Sequence, residues 1–231
     1  MQNLNDLTHL QDTIISFFDK TASTEKLKEY LTGYNRLMAY YKCAIMEVET
    51  KLNVLNEQFS LRYDRNPISS IQTRLKSPES IKNKLEGRSL PLTLESIEGN
   101  LHDVAGLRVI CTFPQDVYTI KKALLSQDDI TLIEEKDYIR NPKPNGYRSL
   151  HLIISVPIYL LHEKRHMQVE IQLRTIAMDS WAALEHQLKY KKDVVFTEEM
   201  SQNLLLCAQM SAELDARMDF LRDCVGEKGD I

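Results

Sequence analysis

Val169-Glu-Ile-Gln-Leu-Arg174 alternates without a fault. Val169, Ile171 and Leu173 fall on one face of an extended chain, and Glu170, Gln172 and Arg174 on the other. Leu107-Arg-Val-Ile-Cys-Thr-Phe113 is a second short apolar run rich in β-formers. Working outward, Ile130–Ile133 opens another strand, and Tyr147–Leu160 is long and apolar, with Pro157 expected to break it. Val117–Leu125 and Thr175–Lys191 carry helical patterning. The order strand, helix, strand, strand, strand, helix predicts an α+β fold. Its core is a mixed, mostly antiparallel sheet flanked by helices.

Long helices bracket this core. Leu31, Tyr34, Met38, Tyr41, Ile45, Val48, Leu52, Leu55 and Phe59 follow 3-4 spacing and predict a helix over 25–60. A separate short helix is expected over 6–20. Residues 195–225 repeat the pattern through Leu204, Cys207, Ser211, Leu214, Met218, Leu221 and Val225. Each seam either packs on the chain's own sheet or builds a subunit interface. There are no internal repeats and no linker rich in Gly, Pro or Ser. The reading is one domain with extensions: helices over 1–60, a central unit over 61–192, and a C-terminal helix over 193–231, for packing or oligomerisation.

The chain has 231 residues, 43% hydrophobic and 27% charged, with a net charge of −4. Seven Gly and seven Pro exclude a collagen-like or low-complexity chain. The first twenty residues lack a basic n-region and a cleavage site, and no apolar run is long enough to span a bilayer. No membrane association is expected, and a cytoplasmic location follows by exclusion. Cys43, Cys111, Cys207 and Cys224 form no CxxC pair and read as buried free thiols of a reducing compartment. The charge is uneven. Residues 61–90 carry net +4 and 136–192 net +5, inside an otherwise acidic chain. This is either ordinary fluctuation or two basic blocks converging on an anionic ligand.

Four stretches can carry chemistry. In Thr73-Arg-Leu-Lys-Ser-Pro-Glu-Ser-Ile-Lys-Asn-Lys84, Ser77 can cap a helix that Pro78 and Glu79 begin. Arg74 and Lys76 precede that helix, and Ser80 and Lys84 share a face of it, an arrangement suited to polyphosphate or to a plain solvated helix. Asp103, at the start of the LRVICTF strand, and Glu170 are carboxylates that can hold a divalent metal over phosphates if their strands are neighbours. In Asn141-Pro-Lys-Pro-Asn-Gly-Tyr-Arg-Ser-Leu-His151, Tyr147 can stack on a base, while Lys143, Arg148 and His151 can reach phosphate or ribose. The alternative is a polar hairpin loop. In Asp179-Ser-Trp-Ala-Ala-Leu-Glu-His186, Asp179 can accept both N1–H and N2–H of guanine, and Trp181 reads as a core anchor. Glu185-His186 is no zinc motif, and His102-Asp103 lacks the further His and Asp partners of a metal-dependent phosphohydrolase.

RLKSPESIKNK, HDVAGLRV, KDYIRNPKPNGYRSLH and VEIQLRTIAMDSWAALEHQLKYK occur in this order between Arg74 and Lys191. Together they closely resemble the synthetase domain of the RelA/SpoT family, specifically a small alarmone synthetase. Length and the long first helix resemble the RelP branch more than the RelQ branch. The resemblance implies a nucleotidyltransferase-like fold and transfer of pyrophosphate from ATP to the ribose 3′-hydroxyl of GTP or GDP, giving (p)ppGpp and AMP with Mg²⁺. It implies synthesis without hydrolysis, and a homotetramer. Arg74 resembles the residue flanking adenine; Lys76, Ser80, Lys84 and Arg108 resemble ATP phosphate contacts. Asp103 resembles the Mg²⁺ ligand, and Glu170 the carboxylate that activates the 3′-hydroxyl and also touches metal. Lys136, Lys143 and His151 resemble contacts to the guanine nucleotide's phosphates, Tyr147 the guanine-stacking ring, and Asp179 the acceptor at the guanine edge. Thr73 stands where the family often has glycine, and Gly87-Arg88 where it carries basic residues. The competing reading is a non-catalytic nucleotide- or RNA-binding oligomer on the same scaffold; it would be expected to lose one of the two carboxylates.

Overall fold

A computed structural model describes residues 24–63, 65–190 and 196–226; the helix expected over 6–20 lies outside them. Helix α1 (Thr24–Tyr63) leads to strand β1 (Ile68–Leu75), helix α2 (Pro78–Glu86) and helix α3 (Leu94–Asn100). Strand β2 (Ala105–Cys111), helix α4 (Pro114–Leu125), and strands β3 (Thr131–Asp137), β4 (Leu150–Tyr159) and β5 (Lys164–Thr175) follow. Helices α5 (Ile176–Tyr190) and α6 (Glu198–Gly226) close the described chain.

The five strands form one sheet in the order β1-β2-β5-β4-β3, with β2 and β5 parallel and every other pair antiparallel. The expected α+β class and mixed sheet are therefore present. Strict alternation gives the sheet two unlike faces. Leu107, Val109, Leu150, Leu152, Ile171 and Leu173 are buried on one of them, which α1 and α4 cover. Seven seam residues of α1, Tyr34, Met38, Tyr41, Ile45, Val48, Leu52 and Leu55, belong to the same core cluster. The first seam thus packs on the chain's own sheet. Each such side chain contributes about 1.5–3 kcal/mol when fully buried.

The second seam behaves differently. Leu204 is buried, but Cys207, Leu214, Met218, Leu221 and Val225 are exposed. Helix α6 is fastened to α5 by Trp181, whose Nε1–H donates to the Leu204 carbonyl at 3.1 Å, and by Ala182 against Ala208. Trp181 is the core anchor its sequence context suggested.

Two sequence expectations need correction, and two elements carried no readable signal. Strand β1 was not anticipated, because ISSIQTRL buries only Ile68 fully and shows no clean alternation. Helix α3 is seven residues long, too short for a periodic signal. Pro157 does not break β4. The β3 ladder reaches β4 only as far as Ser155, so beyond it Pro157 faces no second neighbour that needs its missing N–H. Among the cysteines only Cys111 is buried, while Cys207 is exposed. No helix among the described residues is long and apolar enough to cross a membrane.

Candidate active site

The sheet's other face is polar, and its register aligns the chemistry. Gln72, Arg108, Gln172, His151 and Lys136 stand opposite one another in a single row across all five strands. One row along, Arg74, Gly106 and Glu170 are aligned. The two basic blocks of the sequence therefore converge on one surface. The parallel β2–β5 pairing sets Gly106 opposite Glu170, and Asp103, three residues before Gly106, lines the same cavity as Glu170.

Two cavities open on this face. One, of about 490 Å³, is lined by Arg74, Lys76, Asp103, Arg108, Glu170 and Gln172, among others. The other, of about 220 Å³, is lined by Glu134, Lys136, Tyr138, Lys143, His151 and Glu170. Among the described residues Glu170 alone lines both.

Asp103 anchors the larger cavity. Its Oδ2 accepts from Lys76 Nζ at 2.8 Å and Lys84 Nζ at 2.6 Å. Its Oδ1 is buried and has no hydrogen-bond partner among the described residues. Burial pushes the Asp103 carboxyl up, but the two lysines outweigh it and hold the group below the usual carboxylate range. Lys84 reaches Asp103 from α2, whose first turn is built as its sequence predicts. Ser77 caps it by accepting from the Ser80 N–H at 3.3 Å, and Pro78 follows. Ser80 Oγ also accepts from Ser77 Oγ at 2.8 Å.

The smaller cavity is organised by a loop. Lys143 N–H donates to the Tyr147 carbonyl at 3.1 Å and Gly146 N–H to the Lys143 carbonyl at 2.8 Å. Gly146 has φ +87°, and a Cβ there would lie 2.4 Å from the Ala208 Cβ, so only glycine fits between loop and α6. This turn delivers Tyr147 to His151 and Lys143 to the rings of Tyr138 and Tyr147, at 4.7 and 4.9 Å from their centroids. Tyr147 Oη lies 2.8 Å from His151 Nε2, and His151 Nδ1 lies 3.3 Å from Glu170 Oε1. Gln172 Nε2–H donates to Glu170 Oε2 at 3.1 Å. Burial raises the Glu170 carboxyl, while His151 and Gln172 pull it down, with a net position below the usual range. Glu170 is therefore ionised at neutral pH.

Arg74, Lys76, Asp103, Arg108, Lys136, Lys143, His151 and Glu170 all line one cavity or the other. Lys84, Tyr147 and Asp179 stand one contact back. Lys84 holds Asp103, Tyr147 meets His151, and Asp179 Oδ1 takes Arg174 Nη1 at 3.0 Å and Arg108 Nε at 3.5 Å. Ser80 is engaged at the α2 cap rather than on a cavity wall. Arg148 is not part of the site: its Nη1 donates at 3.1 Å to buried Asp215, pinning α6 instead. Gln72, Tyr138, Gln172 and Arg174 belong to the site without having been singled out for a role. For Gln172 and Arg174 the signal was present, since they share Glu170's face of the alternating strand.

A family model described as a region found in RelA / SpoT proteins matches residues 73–194. The GTP pyrophosphokinase YwaC of Bacillus subtilis is 38% identical over 194 residues, covering 84% of this chain and 92% of that protein. The GTP pyrophosphokinase YjbM of the same organism is 34% identical, covering 84% of this chain and 90% of that protein. A crystal structure of small alarmone synthetase 1 from Bacillus subtilis, bound to its product pppGpp, superposes with a TM-score of 0.76. It is 34% identical and covers 84% of this chain and 98% of that one.

Proposed function

The chain belongs to the RelA/SpoT family, and from that premise we propose that it is a GTP pyrophosphokinase, a small alarmone synthetase of the RelP-like branch. It transfers pyrophosphate from ATP to the ribose 3′-hydroxyl of GTP or GDP and releases AMP. The observation that carries this reading is Glu170 on the wall between two cavities. A base placed there can take the proton of a hydroxyl entering from one side while a polyphosphate lies on the other.

The larger cavity is assigned to ATP. Arg74, exposed at its rim, flanks adenine; Lys76 and Arg108 on its wall serve the phosphates, and Ser80 and Lys84 of α2, which do not line it, are assigned to them as well. The smaller cavity takes the acceptor. Lys136, Lys143 and His151 meet its phosphates, Tyr147 stacks on guanine, and Asp179 reads the guanine edge. The 3′-oxygen bonds to the β-phosphorus of ATP, the bond from that phosphorus to the α-phosphate oxygen breaks, AMP leaves, and Glu170 holds the hydroxyl proton. Positioning and charge neutralisation supply most of the barrier reduction, and a positioned base about 10²–10⁴-fold.

The residues fit Mg²⁺. Asp103 Oδ1 is a buried oxygen lacking a partner among the described residues, and Glu170 lines the same cavity. Two carboxylates suffice where nucleotide phosphates complete the coordination. When bound, the metal would neutralise developing charge on those phosphates.

The working unit is assigned to 61–192, with extensions over 1–60 and 193–231. The reading is synthesis alone. Its support is the likeness, over nearly their whole length, to relatives named GTP pyrophosphokinases. A homotetramer in the cytoplasm is the proposed assembly; the exposed apolar seam of α6 supports a subunit contact and says nothing of location. The non-catalytic alternative is disfavoured because both carboxylates are present on one wall.

Incubating the protein with ATP, Mg²⁺ and GTP, GDP or GMP in turn, and resolving the nucleotides, tests the reading. AMP and a 3′-pyrophosphorylated guanine nucleotide should appear in equal amounts. ATP left intact with every acceptor would overturn it.

A further inference from the structure

Helix α6 lies outside the stretch matched by the family model, yet it grips the loop that carries Tyr147 on both sides of that residue. On the N-terminal side, Gly146 comes so close that a Cβ there would lie 2.4 Å from the Ala208 Cβ and 3.2 Å from Leu205 Cδ1. On the C-terminal side, Arg148 Nη1 donates to Asp215 Oδ2 at 3.1 Å. Ala208 and Asp215 are seven residues apart, so they share a face of α6 about 10 Å apart along its axis. The Tyr147 ring packs against the small apolar cluster of Trp181, Ala182, Leu204 and Ala208 that joins α6 to α5.

The Arg148–Asp215 contact is an ion pair held largely out of water, with side chains 14% and 7% exposed. The same Oδ2 accepts from Thr175 Oγ1 at 3.0 Å. Thr175 is buried at the end of β5 and accepts in turn from the Met178 N–H at 3.1 Å, in the first turn of α5. Asp215 therefore ties the loop to the end of the central strand as well as to α6. The loop's own bonds are short-range: Lys143 N–H to the Tyr147 carbonyl, Gly146 N–H to the Lys143 carbonyl, and Tyr147 N–H to Asn145 Oδ1. A further tie runs from Asn145 Nδ2 to Glu185 Oε1 on α5, at 3.3 Å. Bonds within the loop shape it, but only its outside partners set where the Tyr147 ring stands. Among those partners the buried ion pair is the strongest constraint, because breaking it strands a charge away from water.

We propose that Asp215 is a positioning residue for the acceptor nucleotide: through Arg148 it fixes the Tyr147 loop against α6 and the end of β5. Among the described residues, α6 lines neither cavity, and the loop reaches only the smaller one, through Lys143. Loosening the clamp therefore acts on the acceptor side and spares the side assigned to ATP. The effect on turnover rests on the synthetase reading, but the fixing of the loop is a property of the protein alone.

The test has two readouts. Hydrogen–deuterium exchange is followed without nucleotides, in peptides covering 141–149. It should quicken by roughly tenfold or more in Asp215→Asn and in Arg148→Gln, with peptides from β2 unchanged. In steady-state assays each variant should raise KM for GTP about tenfold and move KM for ATP less than about twofold. The double variant Arg148→Gln/Asp215→Asn should be no worse than either single variant, because both remove the same link. It also leaves no buried charge unpaired, so it carries both readouts by itself if a single variant does not fold. Trp181, the chain's one tryptophan, reports by its emission whether α6 is still docked. Unchanged loop exchange, equal rises in KM for both nucleotides, or single effects that multiply in the double variant overturn the inference and leave the synthetase reading intact. Quickened loop exchange in the variants, with no turnover by the unsubstituted protein on any guanine acceptor, overturns the synthetase reading instead.

Discussion

Lys76 and Lys84 reach Asp103 from a strand end and from a helix, as point charges on long flexible stems. Arg174, Gln172 and Glu170 reach their partners from one face of one strand, through planar groups with fixed directions. The side assigned to ATP is thus an ionic cluster and the side assigned to the acceptor a directional network. Lysine stems can follow a polyphosphate whose conformation changes during transfer. A planar base and a reacting hydroxyl need orientation, which forked donors and amides supply.

Substitutions can break or sharpen this contrast. The largest effect is expected at the residue both sides share. Glu170→Gln keeps shape and the cavity wall but removes the base, and should lower kcat by about 10²–10⁴-fold with ATP affinity changed only a few-fold. Single-turnover product formation and equilibrium ATP binding check it; a variant at full rate removes Glu170 from its assigned role.

Asp103→Asn comes next, with kcat reduced by about 10²–10³-fold and a raised Mg²⁺ requirement. It also carries a stability signature. Both Asp103 and Glu170 titrate below the usual carboxylate range in the folded chain. Their contribution is therefore present above the unfolded value of about 4 and is lost as pH falls below it. The acid-side fall in Tm should be shallower in Asp103→Asn, as thermal melts across pH would show.

Lys84→Met removes one of two ammonium groups from an adaptable cluster. KM for ATP should rise about tenfold, the worth of one charge-assisted contact, with KM for GTP unmoved. An equal rise in both would deny that the two sides are separately built. The smallest effect on chemistry is expected for Gly146→Ala, which strains the acceptor loop against α6. KM for GTP should rise a few-fold and stability fall by about 1–3 kcal/mol, read by denaturant titration.

Much of this was legible in the chain because alternation is a local signal. The face carrying Glu170, Gln172 and Arg174 could be read from six residues, and the α1 seam from its spacing. Register could not. That Glu170 stands opposite Gly106, close to Asp103, depends on a parallel pairing between strands separated by over fifty residues of sequence. Edge strand β1 was hidden because its polar side chains face the site and solvent, which erases the apolar pattern. Arg148 and Arg174 looked alike as basic residues near motifs. One is consumed by Asp215 on α6 and the other organises the site, a distinction made only by tertiary partners.

The two lysines clasping Asp103 also bear on the order in which things arrive. The larger cavity presents three cationic side chains, Arg74, Lys76 and Arg108, against two carboxylates, with Lys84 joined to Asp103 behind them. A free dication approaching this surface meets a balance of charge that repels it, whereas a nucleotide already chelating its metal carries net negative charge and is drawn in. On the proposed assignment, the protein is a poor collector of bare magnesium and a good receiver of the magnesium–ATP complex. Metal content should therefore track nucleotide occupancy rather than the surrounding concentration of free ion.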